Sequence, residues 1–212
     1  MIGHVLRFFH EYVKIKEAID SGKVGKVGVV RLSRCAGFPK GGGNWYRDFE
    51  KSGGVVLDMI LHDFDWLRWC FGEPERVYAR GLAYTKLKDE IDYALVTIRF
   101  KNGVIAHVEG SWAEGGGFKT EVEIAGDEGL LSFKSQEALP ISLNLKETEG
   151  GPAVAIPESP VEVSPFSQEL QEFVNSINED REPQPSAEEA LKSLKLALSI
   201  LNAIKTQEVV KL

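Results

Sequence analysis

Between Ala94 and Phe133 the sequence alternates, and this limits the folds open to it more than any other feature. Ala94, Val96, Ile98 and Phe100 take every second position, with Leu95, Thr97 and Arg99 between them. Asn102-Gly103 follows, a pair suited to the positive-φ positions of a tight hairpin turn. The return strand puts Val104, Ala106 and Val108 on one face and Ile105, His107 and Glu109 on the other. Gly115-Gly116-Gly117 breaks the pattern, Val122 and Ile124 resume it, and Asp127-Glu128-Gly129 turns into Leu130-Leu131-Ser132-Phe133. Val27 to Cys35 alternates enough to be a strand, and with Arg76 to Ala83 and Leu139 to Leu145 the middle run predicts an antiparallel meander in a largely antiparallel open sheet. One apolar and one mixed face are the pattern of a sheet packed on helices on one side only.

The flanks change to helical period. Phe8 to Ser21 carries Phe8, Phe9, Tyr12, Val13, Ile15 and Ile19 at helical spacing and stops at Gly22. Gly37 to Asn44 is rich in glycine and reads as a loop. Gly53-Gly54 opens an apolar run from Val55 to Phe71, long enough to be one helix, closed by Gly72 and Pro74. Near the other end, Ser164-Pro165 starts a helix with the stripe Phe166, Leu170, Phe173, Val174 and Ile177. Ser186-Ala187-Glu188-Glu189 is a capping box before Leu191, Leu194, Leu198, Leu201 and Ile204. Both stripes are expected to pack into the core. Helices, then a sheet, then helices define an α+β chain, with residues 1–212 forming a single domain and Pro152 to Pro165 a connecting loop.

Composition narrows the function classes. Thirty-two acidic against 25 basic residues give a net charge of −7, which argues against nucleic acid or an anionic membrane as partner. No apolar run approaches the roughly 18 residues of a membrane span, and Met1 to Arg7 lacks the pattern of a signal peptide. Cys35 and Cys70 are too few for a disulfide framework or a cysteine-rich zinc site, and read as reduced thiols in a cytoplasmic protein.

The chemistry-bearing residues lie in the run after Gly54. Asp58, His62 and Asp65 stand at i, i+4 and i+7, on one stripe if the helix is continuous. Three readings follow. The stripe is a solvated or ion-paired strip; or Asp58 accepts the His62 ring N–H and tunes an acid–base pair; or two carboxylates and an imidazole bind a metal, for which three ligands along one stripe suit a tetrahedral shell poorly. Gly53-Gly54 favours the acid–base pair, because it allows a chain segment or a ligand to approach the helix start closely.

Several segments carry a resemblance. Gly3-His4-Val5-Leu6-Arg7-Phe8, Ser21-Gly22-Lys23-Val24-Gly25-Lys26, Trp45-Tyr46-Arg47-Asp48, Glu109-Gly110-Ser111-Trp112, Gly126-Asp127-Glu128-Gly129 and Arg181-Glu182-Pro183 resemble, in order, landmarks of the glucose–fructose oxidoreductase/inositol dehydrogenase/MocA (Gfo/Idh/MocA) family. The most specific element is Ser52-Gly53-Gly54-Val55-Val56-Leu57-Asp58 with His62-Asp63-Phe64-Asp65. The resemblance covers only the family's C-terminal domain, a dihydrodipicolinate-reductase-like α+β domain that follows an NAD(P)-binding Rossmann domain. It implies His62 as the catalytic histidine and Asp58 as its helical aspartate. The family's catalytic lysine sits in a Glu-Lys-Pro motif, which this chain lacks, and no Gly-x-Gly-x-x-Gly fingerprint occurs either.

The resemblance therefore implies the substrate-binding and oligomerising half of an NAD(P)-dependent sugar or polyol oxidoreductase, inactive without a separate Rossmann polypeptide. In the complete enzyme His62 would take the proton of a substrate hydroxyl as hydride leaves the carbon. Arg34, Trp45, Arg47 and Asp65 are candidates for contacting substrate. No cofactor or metal is expected in this chain alone. A non-enzymatic binding or scaffold module derived from the same family is the alternative. Tyr12, Ile15 and Ile19 are expected on the surface a missing Rossmann half would leave bare, and a homodimer through the sheet's outer face, with Ile91, Tyr93, Leu95 and Ile105, is expected to cover the other.

Overall fold

The computed structural model describes residues 1–39, 42–83, 91–115, 117–137, 141–145 and 164–212. The expected loop from Pro152 falls outside the described residues up to position 163, as do Leu139-Pro140 and Gly116. A short 3-10 turn, Val5–Phe8, leads into α1 (His10–Asp20). Then come β1 (Val27–Cys35), a second 3-10 turn (Gly42–Arg47), α2 (Phe49–Ser52), α3 (Gly54–Asp58) and α4 (Leu61–Phe71). β2 (Pro74–Leu82), β3 (Tyr93–Phe100), β4 (Ile105–Ser111), β5 (Lys119–Gly126), β6 (Gly129–Lys134) and β7 (Ile141–Leu145) follow, with α5 (Pro165–Asn178), α6 (Ala187–Thr206) and the short β8 (Val210–Lys211) closing the chain.

The strands form one open eight-stranded sheet in the order β7-β6-β5-β1-β4-β3-β2-β8. It is a largely antiparallel α+β architecture, as the alternation predicts. The Asn102-Gly103 turn joins β3 to β4 with Gly103 at φ +99°, a conformation only glycine adopts readily. One departure from a meander is central: β1 inserts between β5 and β4, antiparallel to the first and parallel to the second. Short-range alternation says nothing about such an insertion, because both neighbours of β1 lie far along the chain.

The predicted apolar face is the inner one. Val30, Leu32, Val77, Ala79, Ala94, Val96, Ile98, Phe100, Ala106, Val108, Val122, Ile124, Leu131 and Phe133 are all buried, and α3, α4 and α6 pack against or beside that face. Leu95, half-exposed at 46%, stands on the outer face with Arg31, Tyr93, His107, Glu109 and Glu123. Arg31 and Glu123 form an ion pair across β1 and β5.

Three helical expectations are corrected. The run from Val55 to Phe71 is two helices: the Val55 carbonyl accepts from both Met59 N–H and Ile60 N–H, which widens the turn and ends α3 before α4 begins. Tyr12 and Ile15 are buried against the core, so α1 is not a bare surface. Conversely, the expected core stripe of α5 faces outward, with Phe166 at 58%, Leu170 at 66% and Ile177 at 63% exposure. In α6 the buried face is instead Ala190, Ser193, Leu196, Ala197, Ile200 and Ala203, and Leu191, Leu194 and Leu198 are exposed. Small side chains let α6 lie close to β2 and α4, and that preference displaces the leucines outward.

A buried ionic network ties the beginning of the chain to its end. Arg7 donates to both oxygens of Asp65, from Nε at 2.8 Å and from Nη2 at 2.9 Å, and from Nη1 to Glu189 at 2.6 Å. Ser193 Oγ donates to Asp65 at 3.0 Å, and Arg68 Nη1 donates to Ser193 Oγ at 3.1 Å. Removing one partner strands the other charge without water, a loss of about 3–5 kcal/mol. Asp65→Ala is therefore expected to cost that much in urea denaturation; a loss below about 1 kcal/mol, the scale of an exposed pair, contradicts the role assigned to the network.

Candidate functional site

α4 places His62 in its first turn, and β1 carries Arg34 near its C-terminal end, on the buried inner face. Between these and the chain's first residues lies a cleft of about 610 Å³. Its polar lining comprises Glu11, Tyr12, Arg34, Asp58, His62, Thr120, Ser135 and Glu169, and its apolar lining includes Phe9, Met59, Phe118, Phe133 and Phe166. A smaller groove of about 310 Å³ on the outer sheet face is lined by Arg31, Leu95, His107, Glu109 and Glu123 among others. The cleft, unlike that groove, contains buried polar atoms with no hydrogen-bond partner, Nδ1 of His62 and Oε1 of Glu169.

The sequence candidates divide. Asp58, His62 and Arg34 line the cleft. Asp65 does not: it is fully buried on the Arg7–Ser193 network and holds the fold. Trp45 and Arg47 sit in the second 3-10 turn, exposed, with Trp45 edge-on to Tyr46 at 5.1 Å, and neither lines the cleft. Arg34 is held from behind: its Nε and Nη2 donate to the two oxygens of Asp63 at 2.6 and 2.7 Å, and Nη2 also donates to Tyr12 at 2.8 Å. Its guanidinium lies 5.6 Å from the Phe118 ring centre.

The helix break changes the Asp58–His62 relation. No hydrogen bond joins the two side chains, and Nδ1 of His62 is unpartnered. The ring instead meets that of His4 edge-on at 6.0 Å. Burial, reinforced by the Arg34 charge and opposed by Asp63, lowers the His62 pKa below the ordinary 6.5. Burial alone raises the carboxyl of Asp58. A neutral imidazole in a part-apolar cleft can accept a proton from a hydroxyl, which is the chemistry expected of a general base.

One residue of this cleft that escaped the sequence reading is Glu169, which lies on a helix whose neighbouring stripe reads as core. The double glycine, in turn, admits a chain segment and no ligand. A Cβ on Gly54 would lie 2.7 Å from the Ile91 carbonyl oxygen, and Val55 N–H donates to that oxygen at 3.1 Å. On Gly53 a Cβ would meet Leu57. With the start of α3 filled by protein, Gly53-Gly54 does not form a cradle for a pyrophosphate. Among the described residues no group of three His, Cys, Asp or Glu side chains could hold a metal ion, and no helix is long and apolar enough to cross a membrane.

Comparison with known proteins agrees with this architecture. Residues 12–132 match the GFO/IDH/MocA C-terminal domain, and the chain belongs to that family. It is 27% identical over 219 residues to the myo-inositol 2-dehydrogenase of Thermotoga maritima, covering 99% of this chain and 63% of that protein. Its fold superposes on an oxidoreductase domain protein from Kribbella flavida with a TM-score of 0.86 at 19% identity, covering 100% of this chain and 65% of the other. A levoglucosan dehydrogenase in complex with NADH and L-sorbose gives a TM-score of 0.84 at 20% identity, with coverages of 100% and 65%. The chain thus spans less than two thirds of the length of these relatives.

His4 is buried and His62 partly buried, and both have lowered pKa values, each chiefly through burial. The unfolded chain therefore binds these protons more readily. The stability tied to the neutral rings is complete above pH about 6.5 and is lost as pH falls toward their folded-state values. Ring-proton NMR should give a His62 midpoint below 6.5, and His62→Gln should flatten the fall in denaturation midpoint between pH 7 and pH 5. A midpoint at or above 6.5 contradicts the burial of the imidazole.

Proposed function

We propose that this chain, a single domain over residues 1–212, is the substrate-binding and oligomerising half of an NAD(P)-dependent sugar or polyol oxidoreductase. It acts with a separately supplied Rossmann half. The observation that carries the reading is His62, partly buried with a lowered pKa, facing a cleft that also presents Asp58 and aromatic side chains. Aromatic walls suit the C–H faces of a sugar ring, and polar groups suit its hydroxyls.

In this reading His62 accepts the proton of the substrate hydroxyl. Asp58, with no bond to the ring, acts on the substrate side, as a hydroxyl acceptor. Arg34 shapes the cleft, and its charge adds to burial in favouring the uncharged imidazole. Hydride acceptance belongs to the other half, which is where NAD(P) would bind. The exposed faces of α5 and α6 support the presence of a covering partner, since contiguous apolar surface of this kind marks interaction sites. The same faces also favour the second reading, a binding module without catalysis. The sheet's outer face, with Leu95, Tyr93 and Ile105, is the proposed two-fold contact between copies, in a cytoplasmic assembly.

A chimera joining the Rossmann half of the Thermotoga maritima enzyme to this chain tests the catalytic reading. It should reduce NAD with a polyol, and His62→Ala should lower turnover by about 10²–10⁴-fold, the usual contribution of a general base. A folded chimera that binds NAD but turns over no polyol favours the binding-module reading; equal turnover in His62→Ala removes His62 from the chemistry. Light scattering of the chain itself should show a dimer or larger, and a monomer at high concentration contradicts the sheet-face contact.

A further inference from the structure

The cleft has a charge balance that constrains its ligand. Arg34 is the one cation lining it among the described residues, and the bidentate Asp63 already neutralises that charge. Glu169 and Asp58 are carboxyls without a cationic partner, and Oε1 of Glu169 is shut off from water with no hydrogen-bond donor on it. A Cβ on Gly3 would come no closer than 3.8 Å to that oxygen, so the glycine leaves it uncrowded. A buried acceptor without a donor costs free energy.

Resting on the reading of this cleft as a sugar or polyol site, we infer that it selects polyols bearing an amine or no charge over sugar acids, and that Glu169 sets this preference. An ammonium in the cleft meets two lining carboxyls, Glu169 and Asp58, that have no cationic partner. A ligand carboxylate adds a further acidic group to a cleft already lined by Glu11, Asp58 and Glu169, and finds its natural partner, Arg34, already engaged. Burial raises the Glu169 and Asp58 carboxyls, and a ligand cation beside them favours their charged form while a ligand anion opposes it.

Three pyranoses that differ in one substituent test the inference on the chain as it stands: glucosamine, glucose and glucuronate, titrated by NMR at neutral pH. The expected order of affinity is glucosamine, then glucose, then glucuronate, with at least a tenfold span between first and last. Glu169→Gln keeps the shape and removes the charge, and should compress that span to about threefold or less while the melting temperature confirms folding. Equal binding of all three sugars by the wild-type chain overturns the charge preference and leaves the sugar-site reading intact. A span that persists in a folded Glu169→Gln variant overturns the role of Glu169. Binding of none of the three overturns the sugar-site reading, and this inference with it.

Discussion

The bidentate bond between Arg7 and Asp65 is the contact on which the rest of the arrangement depends. It joins a segment before the first helix to the middle of α4, and through Glu189 and Ser193 to the start of α6. Packing against apolar surface alone would let these elements slide, because the hydrophobic effect is non-directional. A planar guanidinium on a carboxylate fixes distance and angle together. The position of Val5–Phe8, and therefore of Val5, Leu6 and Phe9 in the cleft wall, follows from that bond. A second such pair, Arg34 on Asp63, fixes β1 to the neighbouring side of α4. Two successive acidic positions of one helix, two residues apart, thus point to different parts of the molecule and lock both.

Much of this was legible in the chain. Alternation along Ala94–Phe100 fixes which side chains enter the core because strand period is a strict two, and the buried set matches it residue by residue. Asn102-Gly103 specifies its turn for an equally local reason. The leucines of α6 were legible as apolar but not as exposed. Periodicity reports that a face needs covering and is silent on what covers it, and Ala197, Ile200 and Ala203 give a face that approaches the sheet more closely. The order of strands was illegible because β1 finds both partners some seventy or more positions away.

The candidate site was half legible. His62 and Asp58 carry a motif that stands on its own in the sequence. Their relation to each other depends on the widened turn at Met59-Ile60, where one carbonyl serves two amides, and no residue type there announces it. Asp65 stands at a spacing that suggests a site, yet its partner Arg7 is 58 positions distant. Glu169 was hidden for the opposite reason: it sits among residues whose apolar neighbours dominate the pattern.

The placement of β1 bears on how the molecule comes to be folded. It precedes every other described strand of this sheet in the sequence and lies fourth from one edge, between β5 and β4. One neighbour is complete only past Ser111 and the other only past Gly126. The β3–β4 hairpin, by contrast, can close within a few residues of its turn. Joining β1 to the hairpin's far strand requires closing a loop of about 75 residues, which costs entropy before any ladder bond repays it. Val30 and Leu32 must therefore wait, apolar and unpaired, until the later strands arrive to enclose them. The order of synthesis and the order of assembly run in opposite senses across the centre of this sheet, and the parallel pair is the seam where they meet.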